Sequence, residues 1–356
     1  MAVLKLYRDK LEHNYTFLDK LFKKNGIEWG VVSKILCGNR AFLQELTNLG
    51  PKEIFDSRVS NLKKIKQIAP HIQTVYIKPP PKRIIPSVVR HADVSFNTEL
   101  DTIKRLSNEA IKQDKTHKVI IMIELGDLRE GVMGEDLLSF YKEVFELPNI
   151  QVAGIGANLN CLHGVMPSQD KLIQLGLYKQ LIEAKFNVKI PWVSGGTTVT
   201  IPLLFKHLVP KGINHFRVGE ALYFAKDLFT EGVIEGMYPN VFELFAEIIE
   251  LSEKPVLPSG QLGQNVAGDV FEVDEELYGK TSHRAIIDVG LLDIDPEKLT
   301  PKVGTFDLAG ASSDMMVLDL GENEKNLKVG DLVSFELDYM GALTLLNSNY
   351  IEKVVE

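Results

Sequence analysis

Five short stretches of the chain carry residue types that could do chemistry. Lys34 directly follows the run Gly30-Val31-Val32-Ser33. A lysine at the end of a buried strand is costly unless it is paired or used covalently, because its ammonium loses hydration there. The plainer alternative is a lysine reaching out to solvent. Arg129 sits in the glycine-bounded segment Glu124-Leu125-Gly126-Asp127-Leu128-Arg129-Glu130-Gly131, where it could bind an anion or simply be solvated. Asn158 ends an apolar run, with Asn160, Cys161 and His163 close behind. His163 alone reads as a surface histidine, and Cys161 as packing rather than a nucleophile. Ser194-Gly195-Gly196-Thr197-Thr198 offers open backbone and hydroxyls that can hold an anion at a helix start. A turn with an N-cap would look the same. Arg217-Val218-Gly219-Glu220-Ala221-Leu222 adds a second permanent cation and another open stretch of backbone.

The surrounding pattern says what could bring these together. Over residues 1–235, short β-branched or apolar runs alternate with longer stretches of helical spacing. The runs are 29–33, 53–55, 74–77, 93–96, 118–123, 151–157, 191–193 and 215–218. Between the runs 151–157 and 191–193, Leu172, Leu175, Leu177, Tyr178, Leu181 and Ile182 form an apolar stripe near period 3.6. Strands alternating with helices imply parallel βαβ units, and eight of them predict an α/β fold with a (β/α)8 TIM barrel. An open doubly wound sheet is the alternative, but no glycine-rich dinucleotide loop follows the first strand. Residues 236–356 read as a β-rich C-terminal domain, with strands at 242–251, 285–289, 317–320, 332–337 and 350–355. Turn signals separate them at Pro258-Ser259-Gly260, Val303-Gly304 and Val329-Gly330-Asp331, and few segments have helical period. The boundary falls near 231–239.

In such a barrel, chemistry sits at the C-terminal ends of the strands, and a phosphate site after strands seven and eight recurs. All five stretches fall at those ends, and strand one neighbours strand eight in the closed barrel. A phosphate cradle, a reactive lysine and two arginines around one mouth suit pyridoxal phosphate, with Lys34 as its Schiff-base lysine.

Val31-Val32-Ser33-Lys34, the Arg129-Glu130-Gly131 segment, Ser-Gly-Gly-Thr-Thr and Arg217-Val-Gly-Glu-Ala-Leu together resemble the alanine racemase superfamily of fold-type III pyridoxal phosphate enzymes. Lys34-Ile35-Leu36-Cys37-Gly38-Asn39 is similar to its alanine/ornithine racemase branch. The resemblance runs over nearly the whole chain. It implies a homodimer of barrel plus β-domain protomers, each active site completed by the partner's C-terminal domain. It implies that Lys34 holds the cofactor and acts as one acid/base at Cα, and that Arg217 bonds the pyridine nitrogen. A permanent guanidinium there keeps that nitrogen unprotonated and weakens the ring as an electron sink. Ser194, Gly195, Gly196, Thr197 and Gly219 would hold the phosphate. Asn158 would stand beside the ring, where alanine racemases have a histidine, and Arg129 near the substrate carboxylate. Ala309-Gly310-Ala311-Ser312-Ser313-Asp314-Met315 resembles the segment that reaches into the partner's site, with backbone amides near Ser313 meeting the carboxylate.

The chain also departs from that family. The tyrosine of its Gly-Tyr-Ala-Asp segment, the second base, is replaced in Gly290-Leu291-Leu292-Asp293. The tyrosine after the cofactor lysine gives way to Cys37-Gly38, and Met122 stands where many alanine racemases have a modifiable lysine. Racemisation needs a proton donor on each face of the planar carbanion, so Asp293, Ser312 and Tyr339 become the candidates for the second. These departures favour ornithine or another non-alanine amino acid as substrate for an L/D racemase working by α-proton abstraction. The alternatives are an alanine racemase, another lyase of the fold type, or a non-enzymatic cofactor-homeostasis protein. A zinc-assisted aldolase or dehydratase would want a His-x-Cys pair in the tail, and a decarboxylase a cysteine there. The tail has neither, so no metal is expected. Homeostasis proteins of this barrel usually lack a β-domain.

Composition agrees. With 45% hydrophobic and 25% charged residues, the 356-residue chain is globular rather than disordered. A net charge of −8 (40 Lys and Arg against 48 Asp and Glu), with no long basic run, leaves no footprint for nucleic acid. Two cysteines cannot build a disulfide framework. The start meets charges at once, unlike a signal peptide, and no apolar run spans a bilayer. A cytoplasmic location is expected.

Overall fold

A computed structural model describes residues 2–264, 268, 270–302 and 306–356. The Val303-Gly304 turn lies outside the described residues. The chain divides into two compact units, Asp9–Pro239 and the residues up to Arg8 together with Asn240–Glu356. Strand β1 (Val3–Leu6) pairs with the later unit, and helix α1 (Arg8–Lys24) follows it.

The first unit is a closed eight-stranded barrel. Its strands are β2 (Glu28–Val32), β3 (Glu53–Asp56), β4 (Gln73–Tyr76), β5 (Val94–Asn97), β6 (His117–Met122), β7 (Ile150–Gly156), β8 (Trp192–Gly196) and β9 (His215–Val218). All neighbours pair in parallel, and β9 closes on β2 with Val218 beside Val31. The outer helices are α2 (Arg40–Asn48), α3 (Val59–Ile68), α4 (Ile85–His91), α5 (Leu100–Lys112), α6 (Leu137–Phe145), α7 (Gln169–Phe186), α8 (Ile201–Phe205) and α9 (Glu220–Phe224).

Parallel strands covered on both faces are nearly continuous apolar runs, which is why they were legible. Val32, Phe55, Val75, Val94, Phe96, Ile120 and Met122 pack as one buried cluster. Each such side chain contributes roughly 2 kcal/mol by leaving water. Helix α5 buries Thr102, Ile103, Leu106, Ser107 and Ala110, the face dictated by a 3.6-residue period. Helix α7 corrects the expected stripe. Leu172, Leu175 and Ile182 are buried, but Leu177 and Leu181 are exposed. They share an i, i+4, i+8 row with Ile173 on the opposite side of the helix, so α7 carries two apolar rows and packs only one.

The second unit is an antiparallel sheet with strand order β12-β15-β10-β11-β14-β13. Its members are β10 (Phe242–Pro255), β11 (Thr281–Ile287), β12 (Leu299–Pro301), β13 (Asp307–Ala311), β14 (Met316–Asp319) and β15 (Leu332–Leu337). Strand β1 lies between β10 and β16 (Glu352–Val355), parallel to the latter. Helix α10 (Tyr339–Asn347) was not expected from the sequence. The Asp338 side chain caps it by accepting from Gly341 N at 2.6 Å, and Ala342, Leu345 and Leu346 bury its face. Among the described residues no helix is long and apolar enough to cross a membrane.

Candidate active site

Most of the sequence-derived site residues of the barrel fall at the C-terminal strand ends, or in the loops that follow them. Lys34 is exposed and opens a single helical turn, Lys34–Leu36, after β2. That turn is anchored from below. Ser33 donates to the Asp56 carboxylate at 2.8 Å, and Asp56 also accepts from Arg58 N at 2.8 Å and Asn61 Nδ2 at 3.1 Å. Burial raises the Asp56 pKa, against the pull of those donors. Gly38, at φ +71°, closes the segment; a Cβ there would lie 2.3 Å from Asn61 Oδ1.

Strand β8 delivers the anion-binding segment. Thr197 caps the turn Thr198–Thr200 in a reciprocal box, its own N–H donating to Thr200 Oγ1 at 3.2 Å. The Thr198 hydroxyl accepts from Ala221 N at 3.1 Å, which joins this turn to the start of α9 beside Gly219. A Cβ on Gly196 would sit 2.1 Å from Phe216, and one on Gly195 3.1 Å from Leu175. Both glycines therefore answer to the core packed against them rather than to an unusual φ. A Cβ on Gly219 would lie 3.1 Å from Val32 Cβ, so the ends of β9 and β2 touch just below Lys34.

Arg217 is buried at 5% exposure inside the barrel. It donates to Ser194 O at 2.5 Å, Ser194 Oγ at 2.7 Å and Ala157 O at 2.8 Å, and its guanidinium carbon lies 5.3 Å from the Phe96 ring centre. Burial pushes its pKa down to about 10. It still carries its charge at neutral pH.

The loops after β6 and β7 form the opposite rim. Arg129 makes a two-pronged ion pair with Glu130, which raises its pKa. Glu130 and Arg129 both act electrostatically on Arg217, so these groups share one neighbourhood. Asn158 is half-buried and donates to Cys161 Sγ at 3.0 Å. Asp127 organises this rim, a role that sequence reading missed. Its buried carboxylate accepts the backbone N–H groups of Cys161 (3.0 Å), Leu162 (2.9 Å), His163 (3.2 Å) and Val165 (3.2 Å). Burial opposes its charge, yet these four donors hold its pKa below the usual range. Met122 is buried in the barrel, and a Cβ on Gly156 would come 2.8 Å from its sulfur.

In the β-rich unit, Asp293 and Ser312 occupy turns that meet. Leu291 N donates to Ser312 O at 2.9 Å, and Leu292 N to Ser313 O at 2.8 Å. Asp293 Oδ2 accepts from Gly290 N at 3.3 Å, and the Ser312 hydroxyl donates to Met315 O at 3.2 Å. The Ser313 hydroxyl donates to Asp314 at 3.2 Å. Tyr339 stands apart from them. Register puts the β13–β14 turn level with Ile287 and the start of β15, whereas Tyr339 follows the other end of β15.

The donor set fits pyridoxal phosphate. Two helical starts joined by Thr198 offer backbone and hydroxyl donors for a phosphate. Lys34 lies at the neighbouring strand end. The hydrogen bonds of Arg217 among the described residues go to uncharged oxygens, leaving a buried cation suited to a ring-nitrogen acceptor.

Comparison with known proteins gives the same direction. The alanine racemase N-terminal domain model matches residues 6–227. An ornithine racemase of Acetoanaerobium sticklandii is 38% identical over 346 residues, 97% of each chain. A lysine racemase of Thermotoga maritima is 30% identical over 347 residues, covering 98% of this chain and 96% of that one. In fold, the chain is similar to an alanine racemase from Bartonella henselae with covalently bound pyridoxal phosphate, at TM-score 0.75, 14% identity and coverage of 100% and 99%. On the domain match and the whole-length likeness to the two racemases, this chain belongs to the alanine racemase family.

Proposed function

We propose that this protein is a pyridoxal phosphate-dependent amino-acid racemase that interconverts the enantiomers of ornithine, or of another non-alanine amino acid. The observation that carries this is the convergence of Lys34, the Ser194–Thr198 segment and buried Arg217 on adjoining strand ends of one barrel. The two curated relatives act on ornithine and lysine, which supports a substrate with a distal amine. Pyridoxal phosphate, when bound, supplies the electron sink that makes an α-proton removable.

The protein's own groups do the rest. Lys34 holds the cofactor through its ε-amine, and that amine moves the proton at Cα on one face of the substrate. Gly195, Gly196, Thr197 and Gly219 hold the phosphate with backbone and hydroxyl donors, with Ser194 bracing Arg217 beneath them. Arg217 donates to the ring nitrogen, and its fixed charge keeps that nitrogen unprotonated. Asn158 borders the ring. Arg129, steadied by Glu130, faces the substrate carboxylate. The second proton donor comes from the β-rich unit, with Asp293 or Ser312 on its paired turns favoured over Tyr339, and Ser313 amides near the carboxylate. In this reading the barrel unit, Asp9–Pro239, is the cofactor domain, the β-rich unit is the closing domain, and a second copy of the chain completes each site. Cys37 and Cys161 are not joined in a disulfide, and Cys161 is exposed, which supports the reducing cytoplasm.

Chiral chromatography of L-ornithine, L-lysine and L-alanine incubated with the cofactor-loaded protein tests this. D-ornithine or D-lysine should accumulate toward an equal mixture, well ahead of D-alanine. Optical purity retained in all three, with cofactor bound, would leave a cofactor-binding protein instead.

A further inference from the structure

The bond from Arg217 to Ser194 continues inward as a chain of buried polar groups, through His215 to Glu53, that have no role in the chemistry so far. Arg217 donates to Ser194 Oγ at 2.7 Å, Ser194 Oγ is 2.7 Å from His215 Nδ1, and His215 Nε2 is 3.1 Å from Glu53 Oε2. Ser194 and His215 have no exposure, and Glu53 has 5%. The ends fix the direction of the chain, because a guanidinium only donates and a carboxylate only accepts. The Ser194 hydroxyl then donates to His215 Nδ1, and His215 Nε2–H donates to Glu53. Ser194 and His215 each accept one bond and donate one along the line.

The barrel makes room for this line. His215 and Arg217 alternate on β9 and so share its inner face. Ser194 is in register with His215 on β8. Glu53 is on β3, with β2 between it and β9. It crosses because β2 carries Gly30 there: a Cβ on Gly30 would lie 2.7 Å from Glu53 Cβ and 2.5 Å from Phe55. The His215 ring is held by stacking on Trp192, centroids 4.7 Å apart at 16°. The strands opposite fill their inner positions with Phe96, Ile120 and Met122. Buried ionic groups are weak evidence for stability in general, so stability alone does not account for this line.

We propose that Glu53, His215 and Ser194 are positioning residues that aim Arg217 and supply its counter-charge at a distance. This rests on the reading of Arg217 as the group that bonds the cofactor's ring nitrogen. Glu53 adds to the negative charge that Glu130 already places near the guanidinium, and it does so without touching it, so the N–H groups facing the ring stay available. A carboxylate paired directly with Arg217 would take them.

The test compares Ser194→Ala, Glu53→Gln and the double variant with the wild type, each as apoprotein titrated with pyridoxal phosphate and as holoenzyme. His117→Gln, another buried barrel histidine, controls for general loss of stability. Ser194→Ala should raise the cofactor dissociation constant about tenfold, move the visible absorption band and lower kcat with little change in KM. Glu53→Gln should move the same band and raise the dissociation constant about threefold. The double variant should equal Ser194→Ala, because either change breaks one line. If Ser194→Ala does not fold, Glu53→Gln, of nearly the same shape, carries the test through the band and the dissociation constant. Additive effects in the double variant would overturn the relay. So would a wild-type band and dissociation constant in both single variants, while wild-type racemisation kept the proposed function standing. A wild type that neither binds the cofactor nor racemises would overturn both.

Discussion

The barrel and the β-rich unit hold their candidate site residues in opposite ways. In the barrel, three of them have a buried group behind them: Asp56 under the Lys34 turn, Glu53 and His215 under Arg217, and Asp127 under the Asn158 rim. In the β-rich unit, Asp293 and Ser312 sit on turns whose bonds run mainly to their own neighbours. The two arrangements match different needs for precision. Cofactor and amine must meet in one geometry, which rigid strands supply. Turns at a sheet edge suit a group brought to a site from outside it.

The largest break in this comparison is Lys34→Ala. It should lower α-proton exchange with solvent deuterium by on the order of 10³-fold, read by mass spectrometry, with the fold intact. Next in size is a stability effect confined to the barrel. Burial pushes the His117 pKa from 6.5 down to about 4, and Ser95 Oγ is its hydrogen-bond partner at 2.8 Å. The unfolded chain takes up that proton near pH 6.5 while the folded chain resists until about pH 4. Stability is therefore lost as pH falls through this window, by about 2 kcal/mol at pH 5 from this group. Urea unfolding of wild type against His117→Gln should show that slope disappear.

Smaller effects follow. Thr197→Val removes the hydroxyl of the reciprocal cap. It should cost about 1 kcal/mol and weaken cofactor binding about tenfold, measured by denaturation and by fluorescence titration. Ser312→Ala should change the unfolding free energy by less than about 0.5 kcal/mol, as expected of an exposed turn. If the turn substitution instead destabilises as much as the barrel ones, the contrast between the two units fails.

The sequence showed some of this plainly and hid the rest for physical reasons. The barrel strands were visible because doubly covered parallel strands are short apolar runs. Strand β1 was not, because four residues give too little pattern and its partners lie at the far end of the chain. Strand β13 was hidden by its Ala-Gly-Ala composition, and α10 by the glycine in its first turn. Lys34, Arg217 and the Ser-Gly-Gly-Thr-Thr segment stood out as polar groups at strand ends. Their supports did not: Glu53 and His215 are 162 residues apart, and the gap that joins them is the missing side chain of Gly30. Asp127 was in plain view, but four backbone N–H groups leave no mark on a sequence. The exposure of Leu177 and Leu181 was likewise undecidable from period alone.

Lys34 carries the proposed chemistry. Borohydride reduction of the cofactor-loaded protein, followed by peptide mass spectrometry, reads its role directly. The predicted result is a pyridoxyl mass on the peptide carrying Lys34 and loss of that label in Lys34→Ala. A label on another lysine, or no label in a protein that racemises, would contradict it.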